Sequence, residues 1–380
     1  MPLEVRTIVD LREEVVERVK DGLSISEAAR LYGVSRPSVY EWLRRYEAEG
    51  REGLVDRSRA PRSCPHKTAD YVVERLIEER RKWRFGSKAI LQRLIEQEPD
   101  VVWPARSTAD DIFRRAGLVL PRRKRERKRV TPFVKPYAAS RSGELLTVDF
   151  KGQFRLKNGQ LCYPLTLVDS VSRYLLACQA LSSTHEEPAW RVVDRMFRRW
   201  GLPEAVQSDN GVPFGASGAG RLSTFSVRLM KLDILPVFSR PAKPQDNGAH
   251  ERMHRTLKER ATIPPSHHGR AQQRRFNDFR WLYNEERPHE GISMRRPARL
   301  WHGCIRPYPS KPLKIDYEPW YEVRKVGHSG MLSWRSGQIF ISHALGNEWI
   351  GLEPADADRW NLYFGRFFLG QIDERINQLI

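Results

Sequence analysis

The chain has 380 residues, of which 40% are hydrophobic and 30% are charged. This composition predicts folded modules and excludes a largely disordered protein. Its 66 lysines and arginines outnumber 47 aspartates and glutamates, for a net charge of +19. A bias of this size favours a polyanionic partner, because neutralising phosphates releases condensed counterions.

No apolar run approaches ~18 residues, so we expect no membrane span or membrane partner. The N-terminal stretch has early acidic residues and lacks the apolar core of a secretion signal. Four cysteines, none in a CxxC pair, argue against a disulfide framework or a zinc cluster. We therefore expect a cytoplasmic protein that binds nucleic acid.

Residues 1–55 predict a helical DNA-binding unit. Ser26 is expected to cap one helix and Ser35 the next, with Pro37 in the first turn of the second helix and Gly33 in the turn between them. This order is typical of a helix-turn-helix, whose second helix enters the major groove. The alternative is a plain helical hairpin with solvated arginines. The candidate DNA contacts are Ser35, Arg36, Ser38, Tyr40 and Arg44.

A second helical domain is expected across 66–120, after a Pro- and Arg-rich linker at 56–68. Its helical patterns cover 69–82, 87–97 and 107–116, with Ser107 as a cap. They predict another helix-turn-helix or winged-helix-like domain. Its candidate DNA contacts are Arg106, Ser107, Arg114 and Arg115.

The linker at 121–140 opens with "PRRKRERKR", seven cations in nine residues. Such a run cannot pack and is expected to lie along a phosphate backbone. The cations that we assign to DNA here are Arg122, Arg123, Lys124 and Arg125.

From about residue 141 the pattern changes to strands. "GELLTVDFKGQF" predicts a strand that ends near Asp149, and "QLCYPLTLVDSVSRYLLACQAL" predicts two more that meet at a polar turn. An amphipathic helix follows, and "PEAVQSDNGVPF" is a short strand that leads Asp209 into an Asn-Gly turn. Together these elements predict a mixed α/β layer.

The stretch "SRPAKPQDNGAHERMHRTLKER", residues 239–260, predicts a rigid turn followed by a two-faced helix. Its packing face carries an apolar residue every four positions: Ala249, Met253, Leu257 and Ala261. A different face carries Glu251, His254, Arg255 and Lys258. The helix is therefore expected to present one carboxylate among cations, with His254 as a phosphate or structural contact rather than a metal ligand.

Phosphodiester chemistry gives such a carboxylate a role. Two hard cations ~3.5–4 Å apart can activate an attacking oxygen and stabilise a leaving one. They need oxygen ligands, and Mg²⁺ keeps several waters, so a few carboxylates suffice. Asp149, Asp209 and Glu251 could converge on one pair of ions.

These blocks resemble those of a known family. "LLTVDFKG", "QSDNGVPF" and "KPQDNGAHERMHRTLKER" are similar to the three catalytic blocks of insertion-sequence transposases of the retroviral-integrase type. "FRWLYNEERPHEGISMRRPARLW" resembles the segment that follows them, so the likeness covers roughly 141–301 and is greatest to the insertion-sequence 481 type. One departure is the spacing, because the 41 residues between Asp209 and Glu251 exceed the family's usual gap. We expect the Gly- and Ser-rich stretch at 215–224 to hold the excess as a loop.

The resemblance implies an RNase H-like integrase core at 141–302 with an Asp-Asp-Glu triad of Asp149, Asp209 and Glu251. It implies two Mg²⁺ ions, with Mn²⁺ as a substitute, and a DNA contact at Lys258. It also implies double-stranded DNA partners, namely the element's inverted repeats and a target, and a homo-oligomer of at least two copies at the bacterial nucleoid. Arg287 and His289 would suit a DNA-facing rim.

The last predicted domain, at 310–380, consists of short alternating strands that indicate a small antiparallel β-barrel. It is expected to bind DNA or another subunit, or to act as a structural cap. For the whole chain, two rivals to a transposase stay open. One is an RNase H-like nuclease that only hydrolyses, and the other is a decayed element that acts as a DNA-binding regulator.

Overall fold

The computed structural model describes residues 7–57, 67–119, 137–216, 222–240, 248–335, 337–356, 358–376 and 378–379. The chain divides into two compact units, Met1–Ala69 and Asp70–Ile380. The basic run that contains Arg122, Arg123, Lys124 and Arg125 lies outside the described residues. In the described ranges, no helix combines the length and apolarity needed to cross a bilayer.

The first unit is helical, with a 3₁₀ turn at Gly50–Leu54. Its helices are α1 (Ile8–Lys20), α2 (Ile25–Leu31) and α3 (Arg36–Glu49). Val15, Ala28 and Val39 are buried where the three helices meet. Gly33 has a φ of 64°, a left-handed conformation that glycine adopts easily, which confirms the predicted turn between α2 and α3.

The helix caps of this unit were predicted correctly for α3 but not for α2. Ser35 caps α3 by accepting a hydrogen bond from the Ser38 amide, 3.3 Å away, and Pro37 lies in the first turn. The prediction that Ser26 caps α2 is wrong. Ser24 does so, because Glu27, three residues later, completes a reciprocal capping box with it.

The second unit begins with three helices that share a core of Leu76, Ile90, Leu94 and Phe113. They are α4 (Asp70–Trp83), α5 (Ser87–Gln97) and α6 (Arg106–Arg115). The predicted cap at Ser107 is wrong, because the backbone is already extended at Ala105 and the helix starts at Arg106 without a side-chain cap. Ser107 is an exposed residue of the first turn.

These helices pack on the following α/β layer through cations that bind backbone carbonyls. Arg260 donates hydrogen bonds to the Trp83 and Arg84 carbonyls at 2.7 and 2.9 Å. Arg93, only 2% exposed, donates to the Glu286 carbonyl at 2.8 Å and contacts the Glu286 carboxylate. Residues 70–119 are therefore fastened to the α/β layer.

The α/β layer is built on a six-stranded mixed sheet. Its strands are β1 (Leu145–Phe150), β2 (Phe154–Arg155), β3 (Leu161–Asp169), β4 (Leu175–Leu181), β5 (Ala205–Ser208) and β6 (Leu235–Phe238). The order is β2-β3-β1-β5-β6, and β4 pairs with β3. β1 is antiparallel to β3 and parallel to β5, and β5 is parallel to β6. Every strand predicted around the three acids is present.

Four helices cover this sheet. They are α7 (Glu186–Trp200), α8 (Thr224–Lys231), α9 (Gly248–Leu257) and α10 (Gly269–Trp281). The apolar face predicted for α7 is confirmed, since Val193 and Phe197 are fully buried against Leu146 and Val206 of the sheet. Met253 and Leu257 of α9 pack with Phe276 of α10 in a separate cluster.

The α-helical geometry of α9 ends earlier than the sequence period suggests. A π-helical turn, Lys258–Thr262, follows Leu257, so Lys258 is not on a regular α-helical turn beyond Glu251. Ala261 is nevertheless fully buried, as are Leu257 and Met253, so the packing stripe continues through the π turn. A second π turn, Leu282–Glu286, extends α10.

The C-terminal part is antiparallel, as predicted, but its described strands do not close into a barrel. They are β7 (Glu322–Lys325), β8 (Met331–Trp334), β9 (Gly337–Phe340), β10 (Trp349–Asp356), β11 (Arg359–Phe364), β12 (Phe367–Asp373) and β13 (Gln378–Leu379). Five form an open sheet of order β13-β12-β11-β10-β7, and β8 and β9 form a hairpin. Val227 and Met230 of α8 join this domain's core, so the sheet is covered by a helix of the α/β layer.

Candidate active site

The three predicted acids lie on elements that meet at the carboxyl ends of the parallel strands β1 and β5. Asp149 is the fifth residue of β1, and Asp209 directly follows β5. The parallel register pairs Thr147 with Gln207, so two residues further on Asp209 is level with Asp149. Glu251 lies in the first turn of α9 and is exposed. In open α/β sheets, the carboxyl ends of parallel strands are where ligands bind.

The carboxylates of this site act on one another. Burial, followed by the negative charges of Asp209 and Glu251, raises the pKa of Asp149 to about 7, with Lys151 opposing the shift. Burial also raises the pKa of Asp209, although the Gly211 amide donates a hydrogen bond to it at 3.2 Å. Asp149 and Asp209 are therefore more easily protonated than in water, and a cation between them would relieve this.

Two buried histidines of α9 lie behind Asp149, where the sequence does not place them. The Thr166 hydroxyl on β3 is 2.6 Å from Nε2 of His250 and 2.8 Å from Nε2 of His254. The same hydroxyl donates to the Asp149 carbonyl at 3.0 Å, and Thr147 Oγ1 is 2.9 Å from Nδ1 of His250. This network ties α9 to the two central strands.

One pair of histidine tautomers fits the contacts of both threonines, with the Thr147 hydroxyl donating to His250 Nδ1 rather than to the Val168 carbonyl, 3.2 Å away. Because the Thr166 hydroxyl donates its proton to the Asp149 carbonyl, it accepts from both Nε2–H groups. His254 Nδ1 then carries a lone pair, 3.7 Å from Asp149 Oδ2. Burial lowers the pKa of His250 to about 3 and, together with the neighbouring ring, that of His254 to about 2, so both are neutral.

Of the two roles predicted for His254, the phosphate contact is wrong and the structural contact fits, because its side chain is 6% exposed and packs inward against Thr166. The Lys258 and Arg255 side chains are exposed, as is Glu251. Nitrogen and oxygen ligand atoms of Asp149, His250 and His254 all lie within 4.8 Å of one another. His250 has both ring nitrogens engaged and His254 offers only a nitrogen, whereas a hard cation prefers oxygen, so the suited donors are the carboxylate oxygens.

The predicted rim residues differ in their surroundings. His289 places Nε2 3.0 Å from the Tyr283 carbonyl and packs its ring edge-on against Tyr283, and burial lowers its pKa to about 4. Its ring is therefore neutral and occupied by the protein backbone, which argues against a charged phosphate contact. Arg287 is half-buried and lines a cleft beside α9.

Among the helical candidates, Arg36, Tyr40 and Arg44 are exposed on α3, and Arg44 contacts Glu41 at 2.7 Å. The Ser35 oxygen caps α3, and the Ser38 hydroxyl lies 2.8 Å from it, so both serines already have partners. On α6, Arg115 is exposed, Arg106 lies 3.6 Å from Asp110, and Arg114 contacts Asp111.

Four residues around the site escaped the sequence analysis. They are Thr166, Arg173, His250 and Arg252. His250 had a signal, because it lies next to Glu251 and four residues before His254, on one helical face with it. Thr166 and Arg173 have none, since only the folded chain brings them to α9. Arg252 lies on α9 itself, but only the fold places it beside Arg173.

Comparisons with known proteins agree with this architecture. Residues 139–244 and 232–297 each match a family described as integrase core domain. Residues 11–62 match a helix-turn-helix domain, and residues 38–113 match a homeodomain-like domain.

Among individual relatives, the uncharacterized protein y4oM of Sinorhizobium fredii is 31% identical over 121 residues, which are 32% of this chain and 69% of that protein. The uncharacterized protein y4bC/y4pJ of the same organism is 38% identical over 73 residues, 19% of this chain. The Gag-Pol polyprotein of baboon endogenous virus is 28% identical over 187 residues, 49% of this chain. The chain spans about half (48%) of y4bC/y4pJ and 10% of the polyprotein.

A solved structure, the HTLV-2 integrase catalytic core domain in complex with magnesium, is similar with 13% identity and a TM-score of 0.35, covering 43% of this chain and 100% of that one. The family matches and relatives define the class: an integrase-core protein with helix-turn-helix domains. The chain belongs to the insertion-sequence transposases of the retroviral-integrase type.

Proposed function

We propose that this protein is a DNA transposase that binds the ends of its mobile element, cleaves them and joins the 3′-hydroxyl ends to target DNA. The observation that carries the proposal is the approach of three acids, from β1, the end of β5 and α9, in which burial and the charges of Asp209 and Glu251 raise the pKa of Asp149. Because the negative charges at this site repel one another, it is suited to binding divalent cations rather than to supplying a free carboxylate nucleophile.

Asp149, Asp209 and Glu251 would hold two Mg²⁺ ions, or Mn²⁺ in their place. Such ions activate an attacking oxygen and stabilise the leaving oxygen of a phosphodiester. Water is the nucleophile for cleavage and the 3′-hydroxyl is the nucleophile for joining, so no covalent bond forms between protein and DNA.

The chain's own residues supply the rigidity that this chemistry needs. Thr166 and the two buried histidines connect α9 to β1 and β3 and so fix the backbone that carries the Asp149 carboxylate. The histidines stay neutral and carry no positive charge into the site, so they do not compete with a cation for Asp149. Exposed Arg255 and Lys258 extend from the same helix toward solvent and would contact phosphates.

The proposed partners are double-stranded DNA and further copies of this chain. The helix α3 of the first unit would read the terminal repeats, with Arg36, Tyr40 and Arg44 as contacts. Two element ends must be joined in one reaction, so we expect at least a dimer on DNA. The expected place of action is the bacterial nucleoid.

The test uses purified full-length protein and linear DNA that carries the sequences flanking its gene. Asp149→Asn, Asp209→Asn and Glu251→Gln should each abolish Mg²⁺-dependent cleavage and joining while DNA binding persists, because size is kept and only the charge is lost. Glu259→Gln, an exposed acid of the neighbouring π turn, is the matched control and should stay active.

The outcomes separate the three candidate functions. Cleavage without joined products would indicate a nuclease, and specific binding without any metal-dependent cleavage would indicate a regulator. Full activity in a triad variant would remove that residue from the site.

A further inference from the structure

A cleft of about 460 Å³ lies beside α9, on the side where α5 and the segment 283–294 approach it. Cationic side chains reach it from five separate parts of the chain: Lys88, Arg106, Arg173, Arg252 and Arg287. Glu290 is the one acidic residue among the lining residues that the structure describes. The lining is therefore strongly positive.

Three of these cations have no counterion among the residues that the structure describes. Lys88 contacts Glu290, and Arg106 Nε lies 3.6 Å from Asp110 Oδ2. Arg173, Arg252 and Arg287, in contrast, form no ion pair or side-chain hydrogen bond with another residue of the described ranges. A guanidinium has five N–H donors, so these three leave a large hydrogen-bonding capacity directed at the cleft and its solvent.

The three unpaired arginines are close enough to act on common groups. Tyr283 is buried and lines the cleft, and burial raises its pKa to about 12. The positive charges of all three arginines act against this rise. Burial lowers the pKa of Arg173, with the charge of Arg252 adding to the effect, and burial lowers that of Arg287.

The opposing acids lie outside the cleft. Asp169 acts on Arg173 from a distance, but its oxygens already accept hydrogen bonds from Gly143, Ser142 and Ser172. Glu259 acts on Arg287 and does not line the cleft. The fold thus keeps three like charges together, and a bound anion would relieve their repulsion.

The dimensions of the cleft restrict the anion. Its volume lies within the range of sites for one small ligand, roughly 300–1,000 Å³, so a duplex does not fit inside. Along a duplex axis one DNA strand carries a phosphate about every 3.4 Å, and an unpaired strand can extend further, so one or two successive phosphates can meet several of these guanidiniums. The N-terminal turn of α5, which has no side-chain cap at Gly86, also borders the cleft and favours negative charge.

We propose that this cleft binds the phosphate backbone of a single DNA strand where that strand leaves the duplex next to the three acids. Arg252 directly follows Glu251, and neighbouring residues of an α-helix point about 100° apart. A strand in the cleft therefore runs alongside the acid site rather than over it. This inference rests on the proposed function and adds to it a place for an unpaired strand.

The test measures binding by fluorescence anisotropy with the full chain in EDTA. The probes are a short blunt duplex of arbitrary sequence and the same duplex with a single-stranded overhang. The variants are Arg173→Gln, Arg252→Gln and Arg252→Lys. Arg195→Gln is the matched control, because Arg195 is an exposed helical arginine on α7 and loses the same charge.

We expect Arg173→Gln and Arg252→Gln each to weaken binding of the overhang probe by roughly 10- to 150-fold, the effect of one charge-assisted hydrogen bond. Binding of the blunt probe should stay within a few-fold, as should both probes with Arg195→Gln. Arg252→Lys should recover part of the affinity, since it keeps the charge without the planar fork.

Parental binding of the overhang probe by both Gln variants, or an equal weakening with both probes, would overturn the proposal. Arg252 is exposed on its helix, so a thermal unfolding curve like that of the parent is expected for Arg252→Gln and separates weaker binding from a disrupted fold. No cleavage is measured, so a chain that never joins DNA would fail the proposed function and could still pass this test.

Discussion

Nδ1 of His254 lies 3.7 Å from Oδ2 of Asp149, and the two side chains do not form an ion pair. The pKa of His254 is lowered to about 2 by burial, so the ring is neutral at any physiological pH. The pKa of Asp149 is raised to about 7 by burial and by Asp209 and Glu251. A neutral ring therefore faces a carboxylate that is only partly ionised in the absence of metal.

The first prediction follows from the raised pKa of Asp149. Above pH 3.8 the unfolded chain releases this proton, whereas the folded chain keeps it up to about pH 7. Without metal, Asp149 therefore makes the free energy of unfolding fall as pH rises between these values, by on the order of 2–4 kcal/mol. Asp149→Asn should remove this fall and, at pH 8 in EDTA, unfold at higher denaturant concentration than the parent.

The control for that experiment is Asp169→Asn on the neighbouring strand. Asp169 is fully buried and accepts hydrogen bonds from the Gly143 and Ser172 amides at 2.8 and 2.7 Å. Its substitution should lower the free energy of unfolding by roughly 1–3 kcal/mol at pH 8. An equal loss of unfolding free energy with both substitutions would show that the fold stabilises the charged Asp149 carboxylate and does not destabilise it.

The second prediction concerns Thr166, whose hydroxyl meets both buried histidines. Thr166→Val leaves two buried Nε2–H groups without their acceptor, at roughly 1–3 kcal/mol each. Thr147→Val removes a partner of His250 alone and should destabilise less. Denaturant unfolding of both variants in EDTA measures the difference. A milder effect at Thr166 than at Thr147 would refute the assigned hydrogen-bond network.

The third prediction concerns Lys258, at the start of the π turn after α9. Lys258→Ala should reduce strand joining by roughly 10- to 150-fold and leave Mg²⁺ binding nearly unchanged, because it removes one charge-assisted hydrogen bond to a DNA phosphate. Lys258→Arg should recover part of the activity. Strand-transfer assays beside exposed Lys157→Ala test this, and joining by Lys258→Ala at the parental rate contradicts the assigned DNA face.

The fourth prediction separates specific from nonspecific DNA binding. Removing residues 1–69, a compact unit, should weaken binding to element ends while a salt-sensitive affinity for any duplex persists. Neutralising Arg122, Arg123, Lys124 and Arg125 should instead reduce the slope of log affinity against log salt by up to ~0.9 for each phosphate that these side chains no longer neutralise. An unchanged slope would mean that this run does not touch duplex DNA.

The sequence was a good guide to the α/β layer because its local signals agree with one another. Apolar runs of strand length end at polar residues, so β1 and β5 deliver Asp149 and Asp209 at positions that the pattern already indicates. The buried face of α7 follows from its regular spacing alone. The boundaries of the predicted domains stay predictions.

The sequence was a poorer guide wherever contacts between distant parts of the chain determine the position of a side chain or the pairing of strands. His254 shares the helical side of Glu251 on a helical wheel, yet Thr166, distant in the chain, draws it inward. The arginines of the cleft come from separate segments, and no local pattern relates Arg173 to Arg252. Barrel closure likewise depends on pairing between distant strands, which alternation along each strand cannot specify.

The carbonyls of Trp83 and Arg84, at the turn between α4 and α5, are bound by Arg260 from the helix region that carries the third acid. The α4–α5 turn and the segment that carries Arg260 must therefore be inherited together. For the proposed transposase, an exchange of residues 1–69 with those of a relative should alter which DNA ends are bound. A crossover between residues 70 and 260 would instead combine an α4–α5 turn and an Arg260 segment from different parents. Related proteins should therefore keep residues 70–260 as one block.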